Sequence, residues 1–600
     1  MSYSPPEAWL RWFERPRAHY AITLLAVLLT APSLLTRLVL DDHVLAVKAA
    51  SEPSVVGLPP DPLALFTFTT GDPQRNRALI EEGVLLPWWS DVRHLNAFFR
   101  PISSLTHVLD FRLWPHSPWL MHLQSVLWYA ALLLALAHVY RVLDGPAPVL
   151  CGLALLLFAI DDARGWTVGW VSNRNALIAA TLALPALSAH HRWVAHGFRP
   201  GAWLAPACVV LGLAAGETAI CIVGYLLAYA LCLDARSPLQ RALSLAPYVS
   251  ILIAHRVLSH ALGLGSFGSG AYHDPLREPL GFAQMLGYNL PVLLSAQLFV
   301  PVADLAFWGN VAGRIPLLIW CALSLVLLLW FAWPLLCVDR KTRFWCSGMV
   351  FAAVPVSASL PGDRLLLTVG VGGAALIARL LASAWQVGDG FSRPRQHVTN
   401  VLVLLHLVAA PVGLPVRTYS IETLGRLIDR IDSGLPSSER VGEQTAVVLN
   451  APLNILVNYM QAARAARHVP RFRHLHWLAS TSSETTVTRV DARTLRVAQE
   501  RGFLRQPEET HYRSDPRGLA LGAEVGLSTL SVHVVESTHG DPPRPKSVEF
   551  RFLEPLESER YVFRFYRDGQ LWPWQPPAAG GRVSFPAEDF FKLVASEALR

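Results

Sequence analysis

The chain has 600 residues, 52% hydrophobic and only 16% charged, where a soluble chain carries roughly a quarter. That composition excludes intrinsic disorder, a collagen-like fibre and a small disulfide scaffold. The net charge of +7 does not point to nucleic acid either. Residues 418–600 hold 23 basic and 22 acidic side chains, so the water-facing third has no basic excess for a phosphate backbone.

Charge density divides the chain. Residues 1–417 carry 50 Asp, Glu, Lys and Arg, and residues 418–600 carry 45 in less than half the length. The first stretch reads as a membrane domain and the second as a soluble one. The apolar segment 19–40 follows a tail with Arg11, Arg15 and Arg17 and has no small-residue cleavage site, which predicts an uncleaved first span. Further spans are predicted near 119–140, 147–161, 166–188, 202–215, 217–233, 242–262, 315–336, 345–361, 365–386 and 397–416, eleven in all. The apolar stretch 282–302 contains Asn289, Pro291 and Gln297 and reads as re-entrant or interfacial. With a cytoplasmic N-terminus, thirteen Lys and Arg fall in inner segments. Four (Arg164, Arg277, Arg314 and Arg364) fall in short outer connections. This predicts a multi-pass protein of the plasma (inner) membrane and cell envelope, with 418–600 extracytoplasmic.

The fold class expected is an all-α polytopic membrane domain (1–417) of about eleven transmembrane helices, with a C-terminal α+β domain (418–600) that folds by itself. Between the first two spans lies a long outer loop, 41–118, whose Trp88, Trp89, Trp114 and Trp119 suit interfacial packing or stacking on sugar. The soluble domain is expected to open with helices near 420–434 and 453–467. Strands follow in "STLSVHVVES", "SVEFRFL" and "RYVFRFYRDG", with Asp568-Gly569 as a hairpin turn. "RFRHLHW" (471–477) reads as a packed strand, "GLGSFGSG" (263–270) as a flexible outer loop, and His190, His191 and His196 as part of a solvated basic loop. The seven cysteines all lie in or beside apolar segments without CxxC spacing, so no zinc or disulfide framework is expected.

An ionisable side chain at mid-membrane costs about 2.5–3.5 kcal/mol or more, so its position is informative. Here such residues gather at the outer ends of spans: Asp41 and Asp42, Asp161 and Asp162, Glu217, and Asp363 with Arg364, while Arg174 falls about two turns into the fourth. Singly, each reads as a solvated helix end or a snorkelling arginine. Together they suit chemistry on a phosphate-bearing lipid, carboxylates activating a hydroxyl and arginines holding phosphate. The pattern also fits a transporter's mouth.

The order of these residues resembles the C-type glycosyltransferases of the membrane, in particular protein O-mannosyltransferases and the tetratricopeptide-containing transmembrane O-mannosyltransferases. The resemblance is carried by "LDDHVL" (40–45) and by "FRPISSLTHVLD" (99–110), with Arg100, Pro101 and Asp110 and, beyond it, His122. It continues in "FAIDDARGWTVGWVSNRNALIA" (158–179), with Trp170 and Arg174, in "GETAI" (216–220), with Glu217, and in "PGDRLLL" (361–367), with Arg364. It covers roughly residues 20–390. The chain departs from that family where Asp161-Asp162 replace a His-Pro, where Gly216 replaces a Lys, and in lacking tetratricopeptide repeats.

The resemblance implies inverting transfer of a sugar from a polyprenyl-phosphate donor, outside the cytoplasm. The acceptor would be a glycan, lipid or protein hydroxyl of unknown identity. Asp41 or Asp42 is the expected base. Arg100, Asp161, Asp162, Arg174, Glu217, Asp363 and Arg364 are the expected substrate and lipid-phosphate residues. Membrane lipids are expected partners and nucleic acid is not. No cofactor is required; a divalent metal is compatible with the pattern but not called for. The rival readings are a polytopic transporter or lipid flippase, an oligosaccharide ligase, and a non-catalytic scaffold.

Overall fold

The structure, a computed structural model, describes residues 7–50, 55–308, 313–387 and 392–589, with Leu593 and Glu597. The chain divides into two compact units, each discontinuous in sequence. The first, here the helical unit, is Met1–Thr36, Phe99–Leu262 and Glu278–Ile421. The second, the mixed unit, is Arg37–Phe98, Gly263–Arg277 and Glu422–Arg600. The outer loop 41–118 is thus divided between them.

Among the described residues, six helices are long and apolar enough to cross a membrane: Ala18–Leu35, Pro118–Asp144, Pro238–Ala261, Arg314–Val338, Asp363–Gln386 and Arg393–Ser433. Pro148–Ala159, Gly201–Leu213 and Glu217–Cys232 are shorter and also apolar. Two of the long helices are barely covered by protein: 17% of the most apolar window of Pro238–Ala261 is buried, and 28% of that of Arg314–Val338. Val249, Ile253, Val257, Ile319, Leu323 and Val326 stand exposed on them. Apolar faces of that extent suit hydrocarbon, not water. Asp363–Gln386, by contrast, is 83% buried.

Local chemistry moves one helix start. The predicted span 166–188 breaks into Gly165–Gly169, a 3-10 turn Val171–Asn173, and a helix that starts at Arg174 and runs through Pro185–His196. A Cβ on Gly165 would meet the Arg417 Cβ at 2.6 Å, and one on Gly169 the Thr418 carbonyl oxygen at 2.6 Å. These two glycines let the short helix sit against 417–418. Arg174 is therefore a helix's first residue and does not lie two turns inside one.

The segment read as re-entrant or interfacial forms one helix, Pro279–Leu298. Its polar side chains bind within the helical unit. Asn289 Nδ2 donates to the carbonyls of Ser357 and Ser359, at 3.0 and 2.7 Å, and Gln297 reaches Asp161. The histidines 190, 191 and 196 do not lie in a solvated loop. They sit on Pro185–His196, where His190 is buried with Nδ1 2.8 Å from the Tyr248 hydroxyl and His191 Nδ1 is 3.0 Å from that of Tyr229.

At the C-terminal end of Pro118–Asp144, Arg379 ties Asp144 at 2.5 Å to Asp339 at 2.9 Å, and Trp345 Nε1 donates to Asp144 at 3.1 Å. This cluster joins the end of Pro118–Asp144 and the start of Arg340–Val356 to the interior of Leu366–Val387, because a buried guanidinium must be matched by carboxylates.

Among the described residues, the mixed unit holds three sheets. Thr445–Ala451, whose seven residues are all buried, pairs in parallel with both His474–Ser480 and Tyr561–Arg567. The parallel return to His474 needs a crossover, supplied by helices Asn454–Asn458 and Met460–Ala466. Tyr561–Arg567 turns back into Gln570–Pro573 with Asp568 and Gly569 at φ +54° and +86°, the left-handed pair of a tight hairpin. A six-stranded antiparallel sheet runs in the order Arg582–Phe585, Thr485–Arg489, Thr494–Gln499, Pro545–Phe552, Leu530–Ser537, Glu524–Gly526. The third sheet joins Thr67–Thr70, Leu95–Ala97 and Gly265–Phe267. The last corrects the loop reading of 263–270: its small residues leave an edge free to pair with Leu95–Ala97.

Candidate functional site

Within the mixed unit, Asp41 opens the helix Asp41–Ala49 directly after the strained Leu40, a non-glycine at φ +48°. Such a conformation costs about 1–3 kcal/mol and persists only when its surroundings enforce it. Asp42 does so here. It is fully buried, and its Oδ2 accepts the Val39 amide at 2.9 Å. Asp41, half-buried, points elsewhere: its Oδ1 accepts the Tyr459 hydroxyl at 2.5 Å.

Burial and the Asp41 charge both push the Tyr459 phenol above its usual range, so it stays a donor. Tyr512 is raised in the same way, first by burial. His511 stacks edge-on with Tyr512 at 4.7 Å and with Tyr272 at 6.0 Å between ring centroids. Asn458, next to Tyr459, accepts from Trp477 Nε1 at 2.6 Å. The result is a carboxylate among aromatic hydroxyls and ring faces, a setting that suits polyhydroxylated ligands. His43 is buried and pushed down to about 3 chiefly by burial, so it is neutral and structural. Glu508 is pushed up to about 8 by burial, with Glu509 beside it.

Trp88 and Trp89 are not stacking platforms. Each is 2% exposed, donating to the carbonyls of Leu478 and Glu509 at 3.2 Å, and Trp88 packs edge-on against Phe503 and Phe550.

The helical unit gathers most of the other expected residues into three ion clusters. Arg417 bridges Asp162 at 3.3 Å, Asp304 at 2.5 Å and Asp363. The Asp363 carboxylate also accepts the Ala303 amide at 2.6 Å. Asp161 caps the turn after Pro148–Ala159 through the Ala163 amide, and its other oxygen takes Arg164 at 2.8 Å and Gln297 at 2.9 Å. Arg174 is wholly buried; it donates to Ser125 at 3.0 Å, Asp110 at 2.5 Å, the Met121 carbonyl at 2.7 Å, and Gln124. A guanidinium so enclosed orients its neighbours.

Arg100 and Glu217 form a separate pair at 2.8 Å, as Ser103 donates to the Ala215 carbonyl at 2.7 Å and docks the helix Pro101–Leu113 on that turn. The half-buried Arg364 lies with its guanidinium 5.8 Å from the Trp170 ring, within cation–π range.

Arg417, Asp304, Arg164, Gln297 and Tyr459 were not picked out from the sequence as site residues. Arg417 and Asp304 carry the same signal as Asp363, a charge bordering an apolar segment. Tyr459 carries none. Among the described residues, no group of three or more His, Cys, Asp or Glu is arranged to hold a metal ion; the three carboxylates that converge are occupied by Arg417.

No protein-family model matches the chain, and no curated protein sequence does. Among solved structures, it is similar to the crystal structure of ArnT from Cupriavidus metallidurans bound to undecaprenyl phosphate. The identity is 14%, the match covers 76% of this chain and 89% of that one, and the TM-score is 0.37.

Proposed function

We propose that this protein is a membrane glycosyltransferase that moves a sugar from a polyprenyl-phosphate donor to an acceptor hydroxyl on the extracytoplasmic face. The observation that carries the reading is the division of labour in the Asp41-Asp42 pair: Asp42 is spent on its own backbone, while Asp41 is half-buried and faces tyrosines. In the proposed step Asp41 takes the acceptor's proton as the acceptor oxygen bonds to the anomeric carbon with inversion. The bond from that carbon to the donor phosphate breaks, and its electron pair leaves with the lipid phosphate. Within the helical unit, Arg100 and Arg364 are the residues proposed for the phosphate charge, as the motif resemblance implies, whereas Arg174, wholly buried, and Arg417, held by three carboxylates, are positioning residues. The resemblance of the motifs from "LDDHVL" to "PGDRLLL" supports the same donor class.

Asp41→Asn is expected to lose at least about 100-fold in transfer rate, the lower end for general base catalysis, while the protein still inserts and binds donor lipid. Transfer within a few-fold of the parent would remove Asp41 from the mechanism.

A further inference from the structure

We propose that Tyr459 is a positioning residue for the transfer step: its hydroxyl holds the Asp41 carboxylate turned and charged, so that the C-terminal part of the chain completes the base. The inference rests on the transferase reading above and gives residues 418–600 a part in it.

Tyr459 lies in the crossover between the parallel strands Thr445–Ala451 and His474–Ser480, at the joint of the helices Asn454–Asn458 and Met460–Ala466. The second of these helices packs on Asp41–Ala49. The neighbouring Asn458 is pinned from two sides. Its Oδ1 accepts Trp477 Nε1 at 2.6 Å, and its carbonyl accepts the Leu85 amide at 2.8 Å. The phenol is thereby brought to Asp41 Oδ1 from a fixed direction, at 2.5 Å.

Three leucines in left-handed backbone border this contact. Leu40, at φ +48°, precedes Asp41; Leu453, at +42°, opens the crossover helices; Leu85, at +62°, supplies the amide that holds Asn458. A non-glycine residue keeps such a conformation only where its surroundings enforce it, and strain of this kind gathers at working sites.

A hydroxyl donated to a carboxylate favours its charged form, which is the form that can take a proton. Burial keeps the phenol itself protonated, so it donates throughout the working range. The other ionisable groups around the contact are Asp42, His43 and Lys48 on the Asp41 helix, Arg464 and Arg467 on and beside Met460–Ala466, and Tyr272, Glu508, His511 and Tyr512. Arg464 and Arg467 are held by Asp432 and Asp429, at 2.6 and 2.5 Å. Tyr459 donates to the carboxylate itself, and losing its hydroxyl makes Asp41 harder to ionise.

The test places 3-fluorotyrosine at position 459 of the full chain in phosphatidylcholine nanodiscs and follows its fluorine resonance against pH. The ring and hydroxyl are kept, so the probe reports even where Tyr459→Phe does not fold. A titration step is expected that is lost in Asp41→Asn and kept in Glu508→Gln. In parallel, release of undecaprenyl phosphate from its mannose, glucose and galactose conjugates gives the rate. Tyr459→Phe should move the acid limb of kcat/KM up by about one pH unit; where no conjugate is turned over, the resonance decides. A resonance without a step, a step unchanged in Asp41→Asn, or an unmoved acid limb in Tyr459→Phe overturns this inference and leaves the transferase reading in place. Full activity of Asp41→Asn removes that reading and this inference with it.

Discussion

Asp41 and Asp42 share a charge and a helix end, and the fold sorts them by where successive side chains point, about 100° apart on a helix. Asp42 turns into protein and holds the Val39 amide. Asp42→Ala therefore costs about 0.5–2 kcal/mol, as for a lost cap, and acts on stability before it acts on rate. The acidic pair was legible because it directly follows an apolar run. Which member would be the base was not, since Tyr459 lies 418 positions away and nothing local announces a non-local partner. Glu508 gives a second residue-scale expectation. Its folded-state value is raised from 4.5 to about 8, so the folded chain holds a proton that the unfolded chain has lost. The stability this group contributes is complete below about pH 4.5 and is lost as pH rises through about 8. Glu508→Gln cannot lose that proton. Its thermal midpoint should match the parent in acid and exceed it increasingly up to about pH 8, measured on the purified chain.

At the scale of elements, Arg417 is the joint of the helical unit. It ties the turn after Pro148–Ala159, the Asp304 helix and the Asp363 turn through one guanidinium. Removing one partner of a buried ion pair costs about 3–5 kcal/mol, because the other charge is left without compensation. Arg417→Ala strands three carboxylates, so a loss at the top of that range is expected in chemical or thermal unfolding. Asp363→Asn in the same chain should restore part of it, since one stranded charge is then gone. If the double variant is no more stable than Arg417→Ala, the cluster is not the source of the loss. Sequence patterning found the apolar segments and misjudged what ends them. Residues 166–188 read as one span because apolar residues dominate, and the break at Trp170 depends on Gly165 and Gly169 fitting against a segment about 250 residues later. His190 read as solvated beside His191 and Arg192, because its partner Tyr248 lies on another helix.

On the scale of the whole molecule, topology is the expectation with the widest reach. A reporter active only outside the cytoplasm, fused after residue 600, should be active; a cytoplasmic signal would remove both the span count and the outer-face chemistry. Residues 418–600 read as a self-sufficient domain because their charge density and alternating strands are those of a soluble protein. The compact unit that contains them also includes Arg37–Phe98 and Gly263–Arg277, and Trp88 fills its core against Phe503 and Phe550. Expressed alone, 418–600 should therefore unfold at lower denaturant than the same segment does in the full chain, as Trp→Ala deletions in a core cost about 3–5 kcal/mol.

That three-segment construction also sets a timetable. Trp88 leaves the ribosome some 415 residues before Phe503, which at about 5–20 residues per second is a delay of roughly 20–80 s. Through that interval two tryptophans are made but have no core to enter. The N-terminal piece must be shielded by something other than its own fold. A slowed elongation step between residues 100 and 420 should thus lower the yield of folded protein more than the same slowing before residue 37.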